Sequence, residues 1–375
     1  MRKFLVLLLF IPFIAFADPM YSPTWGFHID LPGGFKYVEG DGKDRFSFDG
    51  MDGMKVDIIV YNNVYNSMLE LANDVNSKLN NKGEVDFFRY RDKQAALLIL
   101  DFGGFSGWGL AVELNNPPGS ESRPILLALS YSPAGKDGYE IFHLSVLDSI
   151  CPTSADRYYP GPVMEYSHPR GEIKHTPLAI NGLFSMVYEN DAEAAQYFIE
   201  REFKVMEAYL MTNYIQAACT RYYRAIYRDS YDRVLSSALA VAQNLGAGAI
   251  RNDQQKREFA QKVLTFVQGF EYERDFSGAS DLINPVTAIT QGRGDCDARA
   301  MLFALILANA DIKSGLLMSY YYSHAMALAD VPGSGIRFES HGIPYLLAET
   351  TSKINIGLID QELADFTRWF AIVFE

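Results

Sequence analysis

The chain has 375 residues, 49% of them apolar, and a formal net charge of −13 at pH 7. That length and apolar fraction allow two or three packed domains and argue against disorder. An acidic chain with no basic aromatic stripe repels nucleic acid, which argues against that class of partner.

The first residues read as a targeting segment. Met1-Arg2-Lys3 is a positive start, "FLVLLLFIPFIAF" is an apolar run, and Ala15-Phe16-Ala17 supplies small residues three and one before a cut. The run is too short for a membrane anchor, and no cysteine stands at the cut to carry a lipid. The expectation is a signal peptide at 1–17, whose removal leaves a periplasmic or secreted protein without stable membrane insertion. In an oxidising compartment the three cysteines, Cys151, Cys219 and Cys296, are an odd set. A Cys151–Cys219 bridge would leave Cys296 as the thiol; the alternative is that Cys151 and Cys219 are buried apolar residues.

Residues 18–150 read as one α+β unit. "FHIDLP", "RFSFDG", "KVDIIVY", "FFRYRD", "AALLILDF", "GWGLAVEL" and "PILLALSY" are short apolar runs separated by Gly, Asp, Asn and Pro, as strands are. "NSMLELANDVNSKLNN" has helical periodicity through Met68, Leu69, Leu71, Val75 and Leu79, and "YEIFHLSVLDSI" forms a second helix. These elements predict an antiparallel sheet with helices packed on it. With its opening "WGFHIDLPGGF" and closing "LSVLDSI", this order resembles the PsbP-like fold. His28 and His143 fall in strand-like and helix-like runs and read as structural histidines.

Residues 151–190 begin with a stretch rich in Pro, Tyr and Ser and read as a linker. Residues 191–250 lack proline and carry apolar residues at spacings of three and four, which predicts two or three helices. Arg221, Arg224 and Arg228 share one face there. A clamp for a substrate carboxylate and a salt-bridged face touching neighbouring helices both fit that spacing.

Residues 251–375 form the last unit. "REFAQKVLTFVQGFEYERD" is amphipathic, with Phe259, Val263, Phe266 and Val267 on one side, and "SGASDLINPVTAIT" reads as a loop. An apolar helix starts near Cys296, and strand-like "GLLMSYYY", "HAMALADV", "PYLLAETT" and "KINIGLI" come after it. One buried helix on an antiparallel sheet is a compact α+β solution.

The chemistry centres on "QGRGDCDARAML". Asp295 is a good N-cap behind flexible Gly294, so Cys296 becomes the first helical residue. The helix behind it is apolar all round and must be buried. There the helix dipole and unpaired N–H groups favour a thiolate and can receive an oxyanion. A thiolate needs a base, and the base an orienting group. His324 opens one strand and Glu349 ends another, and adjacent antiparallel strands bring such positions together. His341 lies in the turn beside Gly342 and is a poor base. The overlapping Arg293-Gly294-Asp295 spells an adhesive tripeptide but runs straight into the helix, whereas adhesion needs an exposed loop tip.

"GRGDCDARAML", then "SHAMAL", then "YLLAETT" followed by "IGLI", resembles the bacterial transglutaminase-like superfamily, circularly rearranged relatives of papain. With the upstream "FVQGFEYERD", the resemblance covers 257–359. It implies Cys296 as nucleophile, His324 as general base and acid, and Glu349 as orienting carboxylate. Glu349 stands where Asp is commoner, and Ala298 where many members carry an acid. The second oxyanion donor is expected at Gln268, with Gln291 and Tyr272 behind it.

The sequence therefore predicts an exported thiol enzyme that cleaves or transfers amide bonds of peptides or proteins through a thioester, hydrolysis being favoured by the resemblance. No cofactor is expected, and no metal: zinc spacing, a calcium-loop register and a phosphate-cradling loop are all missing. The alternative is an inactive transglutaminase-like protein serving as a periplasmic binding or assembly module.

Overall fold

The computed structural model describes residues 19–117, 119, 122–136 and 138–374. The signal peptide expected at 1–17 lies outside the described residues. The fold is mixed α+β with several antiparallel sheets.

After the short strands β1 (Met20–Tyr21) and β2 (His28–Ile29) come β3 (Lys36–Gly40), β4 (Arg45–Asp49), β5 (Lys55–Asn62), helix α1 (Met68–Leu79), β6 (Val85–Tyr90), β7 (Lys93–Phe102), β8 (Phe105–Glu113), β9 (Pro124–Pro133) and α2 (Glu140–Asp148). Strands β3 to β9 build a seven-stranded antiparallel sheet in the order β3-β4-β5-β9-β8-β7-β6. Both faces are covered. Residues Val56, Ile58, Leu110, Leu126 and Ala128 face one core with Phe142, Val146 and Leu147 of α2. Leu98, Leu100, Ala111 and Leu127 face another with Met68, Leu71 and Val75 of α1. Burial on both faces is why β7 and β9 read as nearly continuous apolar runs. Strand β3 has every residue exposed at the sheet edge, so no apolar alternation announced it.

The segment 151–190, expected as a linker, is packed. It contains α3 (Pro162–Ser167) and a hairpin of β10 (Ile173–Pro177) and β11 (Phe184–Tyr188). Met164, Leu178 and Val187 are buried in the core shared with the next helices, which is what fixes the segment. Two helices then run as α4 (Asp191–Glu207) and α5 (Ile215–Leu245).

The remainder comprises α6 (Asp253–Gln268), α7 (Pro285–Gln291), α8 (Cys296–Ala308) and strands β12 (Ser314–Ser319), β13 (His324–Ala329), β14 (Arg337–Ser340), β15 (Ile343–Ala348) and β16 (Phe370–Phe374). The sheet order is β14-β15-β13-β12-β16, all antiparallel. Helix α8 lies on β12 and β13 and is enclosed from the other side by α5, α6 and α7. Residues Ala300 to Leu307 are consequently buried without a break.

Residues 251–374 depart from expectation in three places. The stretch read as a loop contains α7, capped by Asn284 accepting from Thr287 N–H with Pro285 at its first position. "KINIGLI" forms no strand, because β14 already occupies the free edge of β15. Its backbone touches the sheet only at Gly357, whose N–H donates to Leu347 O at 2.7 Å and whose O accepts from Ile336 N–H at 2.9 Å. Otherwise it bonds α6: Ile354 O accepts from Gln268 Nε2 and Ile356 N–H donates to Gln261 Oε1. The fifth strand is β16, paired with β12. Among the described residues no helix is long and apolar enough to cross a membrane.

Candidate active site

Two loops and two strand ends meet at the N-terminus of α8. Asp295 caps the helix, its side chain accepting from Ala298 N–H at 2.9 Å. Cys296 occupies the first helical position and is 3% exposed. The N–H groups of Cys296 and Asp297 are first-turn donors that no intrahelical carbonyl reaches.

Strands β13 and β15 pair with Ala327 opposite Ala348. Continued outward, that register makes His324 and Glu349 diagonal neighbours on one face, within reach of long side chains. Their side chains meet: His324 Nε2 lies 2.7 Å from Glu349 Oε2. The other carboxylate oxygen of Glu349 accepts from Thr351 N–H at 2.7 Å and Thr351 Oγ1 at 2.6 Å. Burial acts to raise the Glu349 carboxyl, but the His324 bond and charge and the Thr351 donors outweigh it and hold the group below its ordinary value. Trp369 is buried and packs edge-on to the His324 ring at 6.2 Å between centroids. The contact uses Nε2, so Nδ1 is the nitrogen available for proton transfer.

The thiol is linked electrostatically to this pair: the N–H of Ala325, the residue after His324, acts to lower the Cys296 pKa, and the His324 charge acts to lower that of Asp297. The resting thiol differs from the thiolate expected of a helix N-terminus. Burial, then the charges of Asp297 and Asp295, push it well above the ordinary cysteine value. Its proton is held by Asp297 Oδ1, with sulfur and oxygen 3.2 Å apart. Asp297 accepts a second, short bond from the Tyr223 hydroxyl on α5. Burial also raises both carboxyls, since two acids flanking one thiol cannot all ionise in a dry site. A helix dipole is a partial charge and does not outweigh two carboxylates and desolvation.

Gln268, expected as an oxyanion donor, is spent elsewhere. It is buried, and its amide donates to Glu349 O at 2.8 Å and Ile354 O at 2.9 Å. It therefore positions the end of β15 rather than facing the thiol. Gln291 accepts from Arg293 Nε at 2.6 Å. Tyr272, half exposed, lies where the Cys296 charge acts on it.

Asp297, Tyr223, Thr351 and Arg299 were not singled out from the sequence. Arg299, one turn into α8, ties the site together by donating to Gly294 O, Phe270 O and Thr350 O. The spacing of Cys296 and Arg299 on one helical turn was the only available signal. Asp295, Cys296 and Asp297 each present a ligand atom within 4.8 Å of the others, so these are the described residues that could gather around a cation.

The remaining features fall outside this cleft. All three cysteines are free and buried, so Cys151 and Cys219 form no bridge. Asp295 is 2% exposed and Gly294 is buried, which removes the adhesive tripeptide from any loop tip. A cavity of about 540 Å³ lies away from the thiol, lined by residues including Tyr21, Arg157, Arg224, Arg228 and Phe374. The arginine face of α5 forms one wall. Arg221 pairs with Glu202 and Arg224 with Asp30, each at 2.8 Å, while Arg228 donates to the carbonyls of Asp148, Ile150, Asp156 and Tyr159. This face joins Asp30, α2 and the segment that comes after it to α4 and α5. His143 is buried between Ser130 and Ser132, and His28 touches Ser154.

No family model matches the chain, and no curated protein does. Among solved structures, calcium-bound LapG of Legionella pneumophila is similar at 19% identity and a TM-score of 0.22. The likeness covers 36% of this chain and 83% of that one.

Proposed function

We propose that this chain is an exported, transglutaminase-like thiol enzyme that hydrolyses amide bonds of peptides or proteins. The observation that carries the reading is the His324–Glu349 contact at 2.7 Å beside a cysteine at the first position of a buried helix. Residues 251–375 would be the catalytic unit, and the N-terminal sheet would select or recruit the substrate.

Because the resting thiol is neutral, proton transfer accompanies attack instead of preceding it. His324 takes the sulfur proton as Cys296 adds to the carbonyl carbon, and Glu349 stabilises the imidazolium. The carbonyl pair moves to oxygen, where the Cys296 N–H receives it. Collapse forms the thioester and expels the amine, which leaves with the proton from His324. Water, deprotonated by His324, then releases the acid and restores the thiol.

The reading is tested with p-nitrophenyl acetate. The enzyme should form an acetyl adduct at Cys296, absent in Cys296→Ala and slowed at least about a hundredfold in His324→Ala. Cleavage that persists undiminished in Cys296→Ala refutes it. The enclosed, neutral thiol between two acids favours one second reading, an inactive scaffold that binds a partner. That reading expects no adduct and a partner that co-purifies equally with Cys296→Ala.

A further inference from the structure

With Gln268 committed to backbone carbonyls, the side-chain donor for an oxyanion must come from elsewhere around the thiol. Residues 271–273 run alongside 292–294. Glu271 N–H donates to Gly292 O at 2.8 Å, Gly294 N–H donates to Glu271 O at 3.0 Å, and Glu271 and Arg293 form a parallel bridge. This ladder ends one residue before the Asp295 cap, so Tyr272 is fixed beside the approach to Cys296.

The tyrosine is held from two sides. Its ring lies 5.5 Å from the Arg299 guanidinium, which projects from the first turn of α8. Its hydroxyl oxygen accepts from both Nε and Nη2 of Arg274, each at 3.2 Å. Arg274 is itself anchored on Asp281 at 3.1 Å. An oxygen that accepts two bonds from a cation must aim its own proton away from that cation. Tyr272 is 52% exposed, so the proton has open space before it. A charge on the Cys296 sulfur acts on both Tyr272 and Arg274, which places the pair within the electrostatic field of the reaction.

We propose that Tyr272 is a catalytic residue whose hydroxyl donates to the oxyanion formed when Cys296 attacks a carbonyl, with Arg274 as its positioning residue. The proposal rests on Cys296 being the nucleophile. Tyr272 keeps its proton throughout: the sulfur proton goes to His324, the carbonyl pair goes to oxygen, and the phenol supplies only a hydrogen bond. That bond exists in the tetrahedral state and not before it, so it lowers the barrier without tightening binding.

Two reactions at the same sulfur separate this role from a structural one. Acylation by p-nitrophenyl acetate passes through an oxyanion, whereas alkylation by iodoacetamide displaces iodide at carbon and forms none. Tyr272→Phe retains the ring under Arg299, so the fold should hold, which a thermal melt checks. It should slow acylation about 100- to 1000-fold while alkylation stays within about twofold. Arg274→Gln should show a smaller selective loss, and Arg274→Lys should restore part of it. Equal acylation by Tyr272→Phe and wild type overturns the proposal. So does a matching fall in both reactions, which would show that Tyr272 acts on the thiol and not on the oxyanion. If wild-type Cys296 alkylates but never acylates, the nucleophile reading fails first, and this proposal goes with it.

Discussion

Asp297→Asn isolates the electrostatic restraint on the nucleophile. The Asp297 oxygen and the Cys296 sulfur are 3.2 Å apart. Two unit charges at that separation interact by about 5 kcal/mol at an effective dielectric of about 20. That is a ceiling, because burial raises the Asp297 carboxyl and its charge is incomplete while the thiol titrates. A fall of about one to two pKa units is therefore expected, equivalent to about 1.4–2.7 kcal/mol. Each unit raises the thiolate fraction about tenfold and lowers its nucleophilicity about threefold. The alkylation rate at pH 7 should thus rise about 3- to 10-fold, with the midpoint of the pH–rate curve moved to lower pH. The assay is iodoacetamide labelling of Cys296, followed by intact mass across pH. Asparagine still accepts from Tyr223, so the fold should survive. An unchanged or raised midpoint would refute the reasoning and leave burial and Asp295 as the causes of the neutral thiol.

Gln268→Leu should leave the carbonyls of buried Glu349 and half-buried Ile354 without their amide donor and cost about 2–4 kcal/mol, read from urea unfolding; a loss below about 0.5 kcal/mol would show those bonds to be idle. Arg228→Met should cost at least about 3 kcal/mol in the same assay, since four carbonyls lose a half-buried charged donor. His143 has its pKa lowered to about 4 by burial, so the unfolded chain binds the extra proton between about pH 6.5 and 4. Its contribution to stability is present above pH 6.5 and lost as pH falls toward 4, by at most about 3 kcal/mol; His143→Gln should flatten urea midpoints across that window.

The elements that could be read in the chain were those whose patterns arise locally. Ser67 caps α1 by accepting from Glu70 N–H, and apolar residues one helical turn apart come after it. The strands Lys55–Asn62 and Phe105–Glu113 carry apolar runs because burial selects them residue by residue. Asp295 announces the start of α8 for the same reason: capping is a contact between near neighbours in sequence. These signals sufficed for an α+β fold and for pairing His324 with Glu349, whose side chains meet.

What the chain order concealed depended on which surfaces meet. "KINIGLI" has the composition of a strand, but a strand needs a free edge, and β14 had taken it. Gln268 has the chemistry of an oxyanion donor, yet two distant carbonyls hold its amide. The thiol shows the contrast most directly. Its place at a helix N-terminus is a local property and argues for a thiolate. Its protonation is decided by burial and by Asp297, which Tyr223 of α5 holds from 74 residues away in sequence. Local sequence determines where a helix begins and which groups crowd its first turn. Desolvation and long-range contacts are properties of the assembled core, so only the tertiary structure decides what charge those groups carry.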